Sequence, residues 1–290
     1  MAYDDKKPLK SGKYKEIWRR FKKSKKGLAG LFIILVIFLV SLGADLIVPY
    51  NAAIKQSFTE RLQPPSANHY FGTDGYGRDL FARVIHGSRN SLSLGFFSTF
   101  ISIIIGTILG AAAGYWGGLL DNLIMRFLDT IKSIPPMMMA LAIVAALGAS
   151  FTNLLIAITV AQVPTFVRMV RSAVIGISGF EYTEAARAGG TRDMRIIHKH
   201  IIPNAMGVII IQGTMSISAM ILQAASLSFI GMGIQPPSPE WGAMLSEARE
   251  YMRVAPYFMF FPGIAIILSA LSINLLGDGL RDALDPRLKS

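Results

Sequence analysis

The sequence predicts an all-α, polytopic membrane protein with six transmembrane helices, and three observations lead to that fold class. Of its 290 residues, 52% are apolar and only 16% are charged, whereas soluble domains average about 25% charged residues. Several long stretches lack any charged residue, and a membrane-spanning helix needs about 20 such residues. Lys and Arg are concentrated on one side of these stretches, as expected for a membrane protein. The chain is therefore predicted to be surrounded by lipid.

Six apolar stretches fit transmembrane helices. Residues 28–48 form the first and contain one charged residue, Asp45. Residues 133–167 hold 35 uncharged positions, which is too long for one helix but suits two helices joined near 148–153. The remaining three stretches lie within 90–115, from about 203 to 230, and from about 256 to 277. Six spans place both termini on the same side of the membrane.

The distribution of Lys and Arg predicts that this shared side is the cytoplasm. Of the 29 Lys and Arg residues, 22 fall on the side of the termini and 7 on the other side. Cytoplasmic loops carry such an excess. We therefore expect a basic cytoplasmic tail at 1–27, a transmembrane helix at 28–48, an extracytoplasmic loop at 49–89, a five-helix core at 90–278 with a cytoplasmic loop at 178–203, and a cytoplasmic tail at 279–290.

The basic start of the chain has two other interpretations. It fits a cleaved signal peptide with a site at Ser41-Leu42-Gly43, but the apolar run is longer than the about 7–15 residues of a signal peptide and continues through Leu46–Val48. Its charge also suits nucleic acid. Lysines beside a span are better explained by contact with anionic lipid headgroups. We expect membrane lipid, and no nucleic acid, as a partner.

The sequence contains no motif for catalysis or cofactor binding. Cysteine is absent, as are the G-x-x-x-x-G-K-[ST], H-E-x-x-H and G-x-S-x-G patterns. His198 and His200 are two positions apart, which points them to different faces of a helix. We therefore expect neither an enzyme nor a bound cofactor or metal. The apolar stretches also lack ionisable residues apart from Asp45, which disfavours proton coupling, although sodium coupling through backbone carbonyls stays open.

The polar residues inside the predicted spans are uncharged. Such groups join helices in lipid, and we favour that role over the alternative that some of them line a wet passage. Pro164 and Pro262 lie inside the fourth and sixth spans and are expected to kink them. The main polar residues are Gln162, Gln212, Gln223 and Asn274.

The loop at 178–203 is the most informative segment. Ser178 and Glu181 fit a capping box that starts a helix, and Gly189 with Gly190 is expected to end it. Small side chains within this helix predict a surface that another protein can approach closely. The alternative interpretation is an ordinary solvated loop helix.

A second helix is predicted after the glycine pair. Thr191 can cap it, and it is expected to end before Pro203, since the residue before a proline disfavours the helical conformation. The pattern is thus a helix, a glycine turn and a second helix that leads into span five.

These residues resemble the E-A-A loop in permease subunits of ATP-binding cassette (ABC) importers. Glu184-Ala185-Ala186, then Gly190, then Ile202-Pro203 carry the resemblance, while His200 departs from the aliphatic residue that the family usually has there. In that family the loop is the coupling helix, which docks on the ATPase subunit. The resemblance implies that the coupling residues here are Glu184, Ala185, Ala186, Arg187, Gly189, Gly190 and Pro203.

Other segments are similar to the C-type dipeptide, oligopeptide and nickel permeases, and together they cover about residues 15–290. They are FGTDGYGRD at 71–79 after PPS at 64–66, GYWGG at 114–118, MRFLD at 125–129, ASLSFIGMG at 225–233 with QPP at 235–237, and NLLGDGLRDALDP at 274–286.

Two of these segments also carry structural expectations. The glycines of 71–79, with Asp74 and Asp79, predict a turn-rich surface loop, favoured as a structural cap on the pore mouth over a direct solute contact. Arg126 and Asp129 are three positions apart on one helix and are expected to pair.

The resemblance implies the type I importer permease fold and the import of di- or oligopeptides by ATP-driven alternating access. It implies a second homologous permease, two ATPase subunits that bind ATP and magnesium, and an extracytoplasmic solute-binding protein, in the plasma (inner) membrane of a prokaryote. Nickel chelates and glutathione are alternative solutes. A self-contained secondary carrier or channel is the rival class.

Overall fold

Helices account for every regular element in residues 10–284, the part of the chain that the computed structural model describes. Five helices are long and apolar enough to cross a membrane. They are α2 (Lys25–Leu42), α5 (Leu80–Trp116), α8 (Phe151–Ser178), a continuous helix from Asp193 to Phe229, and α13 (Pro256–Leu284).

A bent pair of helices is the candidate for a sixth span. α6 (Gly118–Lys132) and α7 (Pro136–Leu147) meet at an angle of 81°. With 12 residues, α7 is about 18 Å long, which is too short to cross a hydrocarbon core of about 30 Å alone. Pro135 has an extended backbone conformation, which interrupts the helical path between α6 and α7. The predicted all-α fold is confirmed, and the predicted third span, the first half of 133–167, corresponds to α7 alone.

The shorter helices lie at the two ends of the bundle. We call the end that carries the helices Lys10–Phe21, Glu181–Ala188 and Asp193–Ile196 the basic end, and the other end the opposite end. The shorter elements are α1 (Lys10–Phe21), α3 (Ala44–Ile47), α4 (Tyr50–Ile54), α9 (Glu181–Ala188), α10 (Asp193–Ile196), α12 (Trp241–Ala248), the single turns Phe58–Glu60 and Arg249–Tyr251, and the π-helical turn Ile197–Ile201 that joins α10 to α11 (Ile202–Phe229).

Helix α5 begins at Leu80, inside the segment 49–89 that the sequence assigned to a loop. Asp79 caps it, with a side-chain oxygen accepting from the Ala82 amide at 2.8 Å. The first turns of α5 were not predicted, because their charged residues interrupt the apolar pattern that marks a span. Arg89 in these turns is accommodated by Asp45, 2.8 Å away, and by the carbonyl of Ser41. Asp45, the one charged residue of the first predicted span, is thus paired with Arg89.

Close packing of α5 on α8 forms the centre of the bundle. Gly106, Gly110 and Gly114 recur every four residues along one face of α5. A Cβ atom at Gly110 would lie 2.6 Å from the Val167 carbonyl oxygen, so the two backbones approach as closely as glycine allows. Small residues at this spacing are typical of helix contacts in membranes. Pro164 and Pro262 lie inside the unbroken helices α8 and α13.

Candidate functional site

The segment 178–203, hereafter the elbow, begins differently from the predicted capping box. Ser178 is the last residue of α8, and its buried side-chain oxygen has no hydrogen-bond partner among the described residues. An N-cap residue needs a non-helical backbone, which Ser178 does not have. The extended residue before α9 is Phe180, without a side-chain cap. The capping-box prediction is wrong, and Glu181 and Glu184 instead favour the first turn of α9 through the helix dipole.

The glycine pair ends α9 as the sequence indicates. The amide of Gly189 donates to the Ala185 carbonyl, and that of Thr191 to the Ala186 carbonyl. Gly190 has a φ of +73°, in the left-handed region that glycine accepts most easily. These bonds satisfy carbonyls at the helix end and reverse the chain direction.

Helix α9 has one face toward the bundle and one toward solvent. Thr183 is fully buried, and its hydroxyl donates to the Ile177 carbonyl at 3.2 Å. Ala186 packs against the apolar cluster beneath it. The residues that share the outer face are exposed: Glu184, Ala185, Arg187, Ala188, Gly189 and Gly190. The two adjacent alanines of the E-A-A motif therefore have different environments.

The second helix of the elbow does not end before Pro203. The N-cap position of this helix is Arg192, which has an extended backbone, so Thr191 does not cap it. The helix continues into α11 without a break. Residues 197–201 form a π-helical turn, in which the Ile202 amide donates to the Ile197 carbonyl five positions back. A wider turn next to the proline accommodates its missing amide donor. Pro203 thus lies in the first turn of α11 and marks a change of helical pitch.

Buried isoleucines fix this second helix on the bundle. Ile196, Ile197 and Ile201 are 0–5% exposed and pack with Val170 and Val174 of α8. His198 and His200 lie between these isoleucines in the sequence and are not buried with them.

The two helices of the elbow also contact the last two residues of α5. The Tyr115 hydroxyl donates to a carboxylate oxygen of Asp193 at 2.7 Å, and the Trp116 indole nitrogen donates to the other oxygen at 3.4 Å. The guanidinium carbon of Arg187 lies 5.2 Å from the centre of the Tyr115 ring, a cation–π distance. Tyr115 belongs to the family-like segment 114–118, but nothing in the sequence paired it with Asp193, which is 78 positions away.

Ion pairs connect α6 to α8 at the same end. Arg171 binds Asp121 through two parallel bonds of 2.5 and 2.6 Å. Asp129 pairs with Arg168. The predicted pair of Arg126 with Asp129 is therefore wrong, because a neighbouring helix supplies a better-placed arginine.

Polar residues within the spans form hydrogen bonds between helices. Gln162 of α8 donates to the Ser216 hydroxyl of α11 at 3.3 Å. The Ser218 hydroxyl of α11 donates to Asn274 of α13 at 2.5 Å. These bonds agree with the favoured helix-joining role.

The loop 71–79 forms a compact cap at the opposite end. The Asp74 carboxylate accepts from the amides of Tyr76 and Arg78 and from the Arg78 side chain. Gly72 and Gly77 have φ values of +81° and +73°, which the tight turns require. Arg78 and Arg83 both reach Glu247 of α12, a residue that the sequence analysis did not single out.

Comparison with known proteins identifies a family for almost the whole chain. The model described as "Binding-protein-dependent transport system inner membrane component" matches residues 96–290. The model described as "N-terminal TM domain of oligopeptide transport permease C" matches residues 13–65.

Two curated relatives are similar over nearly their full length. The dipeptide transport system permease protein DppC of Alkalihalophilus pseudofirmus is 46% identical over 277 residues, covering 96% of this chain and 91% of the relative. The glutathione transport system permease protein GsiD of Pectobacterium atrosepticum is 43% identical over 278 residues, covering 96% and 92%.

A solved structure supports the fold. A chain of the MetNI methionine ABC transporter, in an inward-facing conformation, matches with a TM-score of 0.59 and 19% identity, covering 70% of this chain and 96% of that chain. The chain therefore belongs to the inner membrane permease components of binding-protein-dependent ABC importers, and within them to the OppC/DppC-like permeases.

Proposed function

We propose that this multi-pass inner membrane permease is one pore-forming subunit of an importer for short peptides. The two relatives are named for a dipeptide and for glutathione. Both compounds are short peptides with a free α-amino group, amide bonds and carboxylates. The short peptide is therefore the proposed substrate class, and nickel chelates are the competing class that an uptake assay includes.

The basic end is proposed to face the cytoplasm, with both termini on that side. The support is the charge distribution, since 22 of the 29 Lys and Arg residues lie in the sequence segments assigned to this side. This orientation presents the elbow to cytoplasmic proteins and presents α12 and the loop 71–79 to an extracytoplasmic solute-binding protein.

The elbow is proposed to be the coupling helix that docks on an ATPase subunit. The observation that carries this proposal is the two-sided character of α9: Thr183 and Ala186 hold its inner face, while Glu184 and Ala185 leave an outer face exposed with small side chains. Such a face allows close approach of a partner backbone. The docked residues are proposed to be Glu184, Ala185, Ala186, Arg187, Gly189 and Gly190, with Pro203 shaping the helix that follows.

The complete transporter is proposed to contain a second homologous permease, two ATPase subunits that bind ATP and magnesium, and the binding protein. ATP binding and hydrolysis change the distance between the ATPase subunits, and the docked elbows follow them. The pore then alternates between openings to the two sides of the membrane. A nucleotide state drives this change only as far as it binds one pore conformation better than the other.

Charge reversal at the elbow tests the proposal. In the complex reconstituted in proteoliposomes, Glu184→Lys is expected to reduce co-purification of the ATPase subunits and peptide uptake together. The matched control is Glu250→Lys, because Glu250 is an exposed glutamate at the opposite end, and it is expected to retain ATPase binding. Peptide uptake by vesicles that hold this chain alone would contradict the proposal and favour a self-contained carrier.

A further inference from the structure

Side-chain contacts fasten the end of α5 to the elbow. Tyr115 and Trp116 share the Asp193 carboxylate, and Arg187 lies over the Tyr115 ring. The next two residues, Gly117 and Gly118, both have positive φ values and turn the chain sharply into α6. The contact therefore joins α5 to both halves of the elbow, since Arg187 belongs to α9 and Asp193 begins α10.

Stability of the fold does not explain this contact. Asp193 and Arg187 are exposed, and Trp116 is 46% exposed. Contacts made by solvent-exposed charged groups contribute little to the stability of a fold. The buried isoleucines already hold the second helix of the elbow in place.

The position of α5 gives the contact a mechanical consequence. The helix has 37 residues without a break, so it is about 55 Å long and crosses the whole membrane. At its far end, Arg83 is bonded to Glu247 of α12. A displacement of the elbow that pulls Tyr115 therefore moves a rigid element that reaches the opposite end.

We propose that Tyr115, Arg187 and Asp193 form a clamp that transmits movement of the elbow to α5. They are positioning residues, and they act on the pore through α5 and not by touching solute. This inference rests on the proposed function, because it requires an ATPase that moves the elbow. Without the clamp, ATP is hydrolysed but the movement reaches α5 only through side-chain packing.

The test measures peptide imported per ATP hydrolysed by the reconstituted transporter with its binding protein. Tyr115→Phe removes the hydroxyl and keeps the ring under Arg187, and Asp193→Ala removes the acceptor. Each is expected to lower the transport-to-hydrolysis ratio at least about five-fold, the lower limit of typical coupling between sites, while ATPase binding is unchanged. The double variant is expected to be no worse than Asp193→Ala alone, because that variant already removes the acceptor of the Tyr115 hydroxyl.

A tyrosine of the elbow itself provides a matched control. The Tyr182 hydroxyl accepts from Asn204 at 3.2 Å and forms no hydrogen bond to α5 among the described residues. Tyr182→Phe therefore loses one hydroxyl from the elbow and is expected to leave the ratio unchanged.

Cross-linking gives an independent readout, because the chain contains no cysteine. With Tyr115→Cys and Asp193→Cys in one chain and cysteine-free partners, a short bifunctional maleimide is expected to restore the ratio. An unchanged ratio in Tyr115→Phe and Asp193→Ala, or no recovery after complete cross-linking, overturns the clamp. Failure of the unaltered chain to bind any ATPase would instead overturn the proposed function.

Discussion

Arg83 of α5 and Glu247 of α12 face each other at the opposite end of the bundle, with Arg83 Nη2 3.2 Å from both carboxylate oxygens. The Arg78 guanidinium donates to the same carboxylate at 2.5 Å and, through Nε, to Asp74. Both arginines are at most 1% exposed and Asp74 is fully buried. Two guanidinium groups are thus balanced by two carboxylates, and Glu247 is the only one of the four contributed by α12.

Removal of Glu247 is expected to destabilise the protein strongly. Glu247→Ala leaves two buried guanidinium groups with one carboxylate, and breaking a buried pair typically costs about 3–5 kcal/mol. Thermal unfolding of the purified permease in detergent measures the loss. Glu250→Ala, an exposed glutamate three positions later, is the control and is expected to change the free energy of unfolding by less than about 0.5 kcal/mol. Equal melting temperatures for the two variants would show that the cluster does not hold α12.

The glycine stripe of α5 predicts a second effect on stability. A Cβ at Gly110 would meet the Val167 carbonyl oxygen at 2.6 Å and the Val170 Cβ at 2.8 Å. Gly110→Ala must push α5 and α8 apart, and overpacking of this kind costs about 1–3 kcal/mol. Gly207→Ala in α11 meets no atom within 4 Å, so its higher helix propensity is expected to be neutral or stabilising by up to about 1 kcal/mol. The same unfolding measurement compares them, and a Gly110→Ala variant as stable as Gly207→Ala would contradict the close packing.

Substitutions at Gly190 and Gly179 distinguish the effect of backbone conformation from the effect of a steric clash in the elbow. Neither has any atom within 4 Å of an added Cβ, but Gly190 has a φ of +73° and Gly179 a φ of −86°. Gly190→Ala is therefore expected to cost about 1–2 kcal/mol through strain alone. If the ATPase binds only the native elbow, its affinity falls by about 5–30-fold.

Titration of the reconstituted permease with ATPase subunits measures this affinity. Gly179→Ala is expected to bind like the unaltered chain. An unchanged affinity for Gly190→Ala would mean that the left-handed turn is not part of the docked structure.

Local patterns in the sequence predicted those features that local forces determine. The apolar stretches gave the spans because a membrane imposes a fixed length on each helix. Gly189 and Gly190 indicated the end of α9 because a left-handed residue ends a helix whatever lies around it. Both inferences needed only neighbouring residues.

Features that depend on distant residues could not be predicted in this way. Ser178 and Glu181 have the spacing of a capping box, yet α8 extends through Ser178 because its other residues pack on the bundle. Asp129 had a suitable neighbour in Arg126, but α8 brings Arg168 closer. The clamp and the Arg83–Glu247 pair join positions more than 70 residues apart, and their partners become visible only in the folded chain.

Glu240 supplies a pH dependence at the opposite end. It caps α12, and its carboxylate accepts from the amides of Gly242 and Ala243 and from the Ser91 hydroxyl. The side chain is 0% exposed. Burial raises the pKa of Glu240 above its ordinary value, and the hydrogen bonds to its carboxylate lower it by less.

The direction of this pKa shift determines how stability changes with pH. An acid whose pKa is higher in the folded state binds its proton more tightly there, so its contribution to stability is complete below the unfolded pKa and is lost as pH rises through the folded pKa. The free energy of unfolding is measured for the unaltered permease and for Glu240→Gln, whose side chain does not titrate. The two are compared over the pH range between the unfolded and the folded pKa of Glu240. We expect the stability of the unaltered chain relative to the variant to fall as pH rises from about 4, near the ordinary glutamate pKa. A relative stability that rises with pH would instead show that the three donors outweigh burial and that Glu240 caps α12 as a carboxylate.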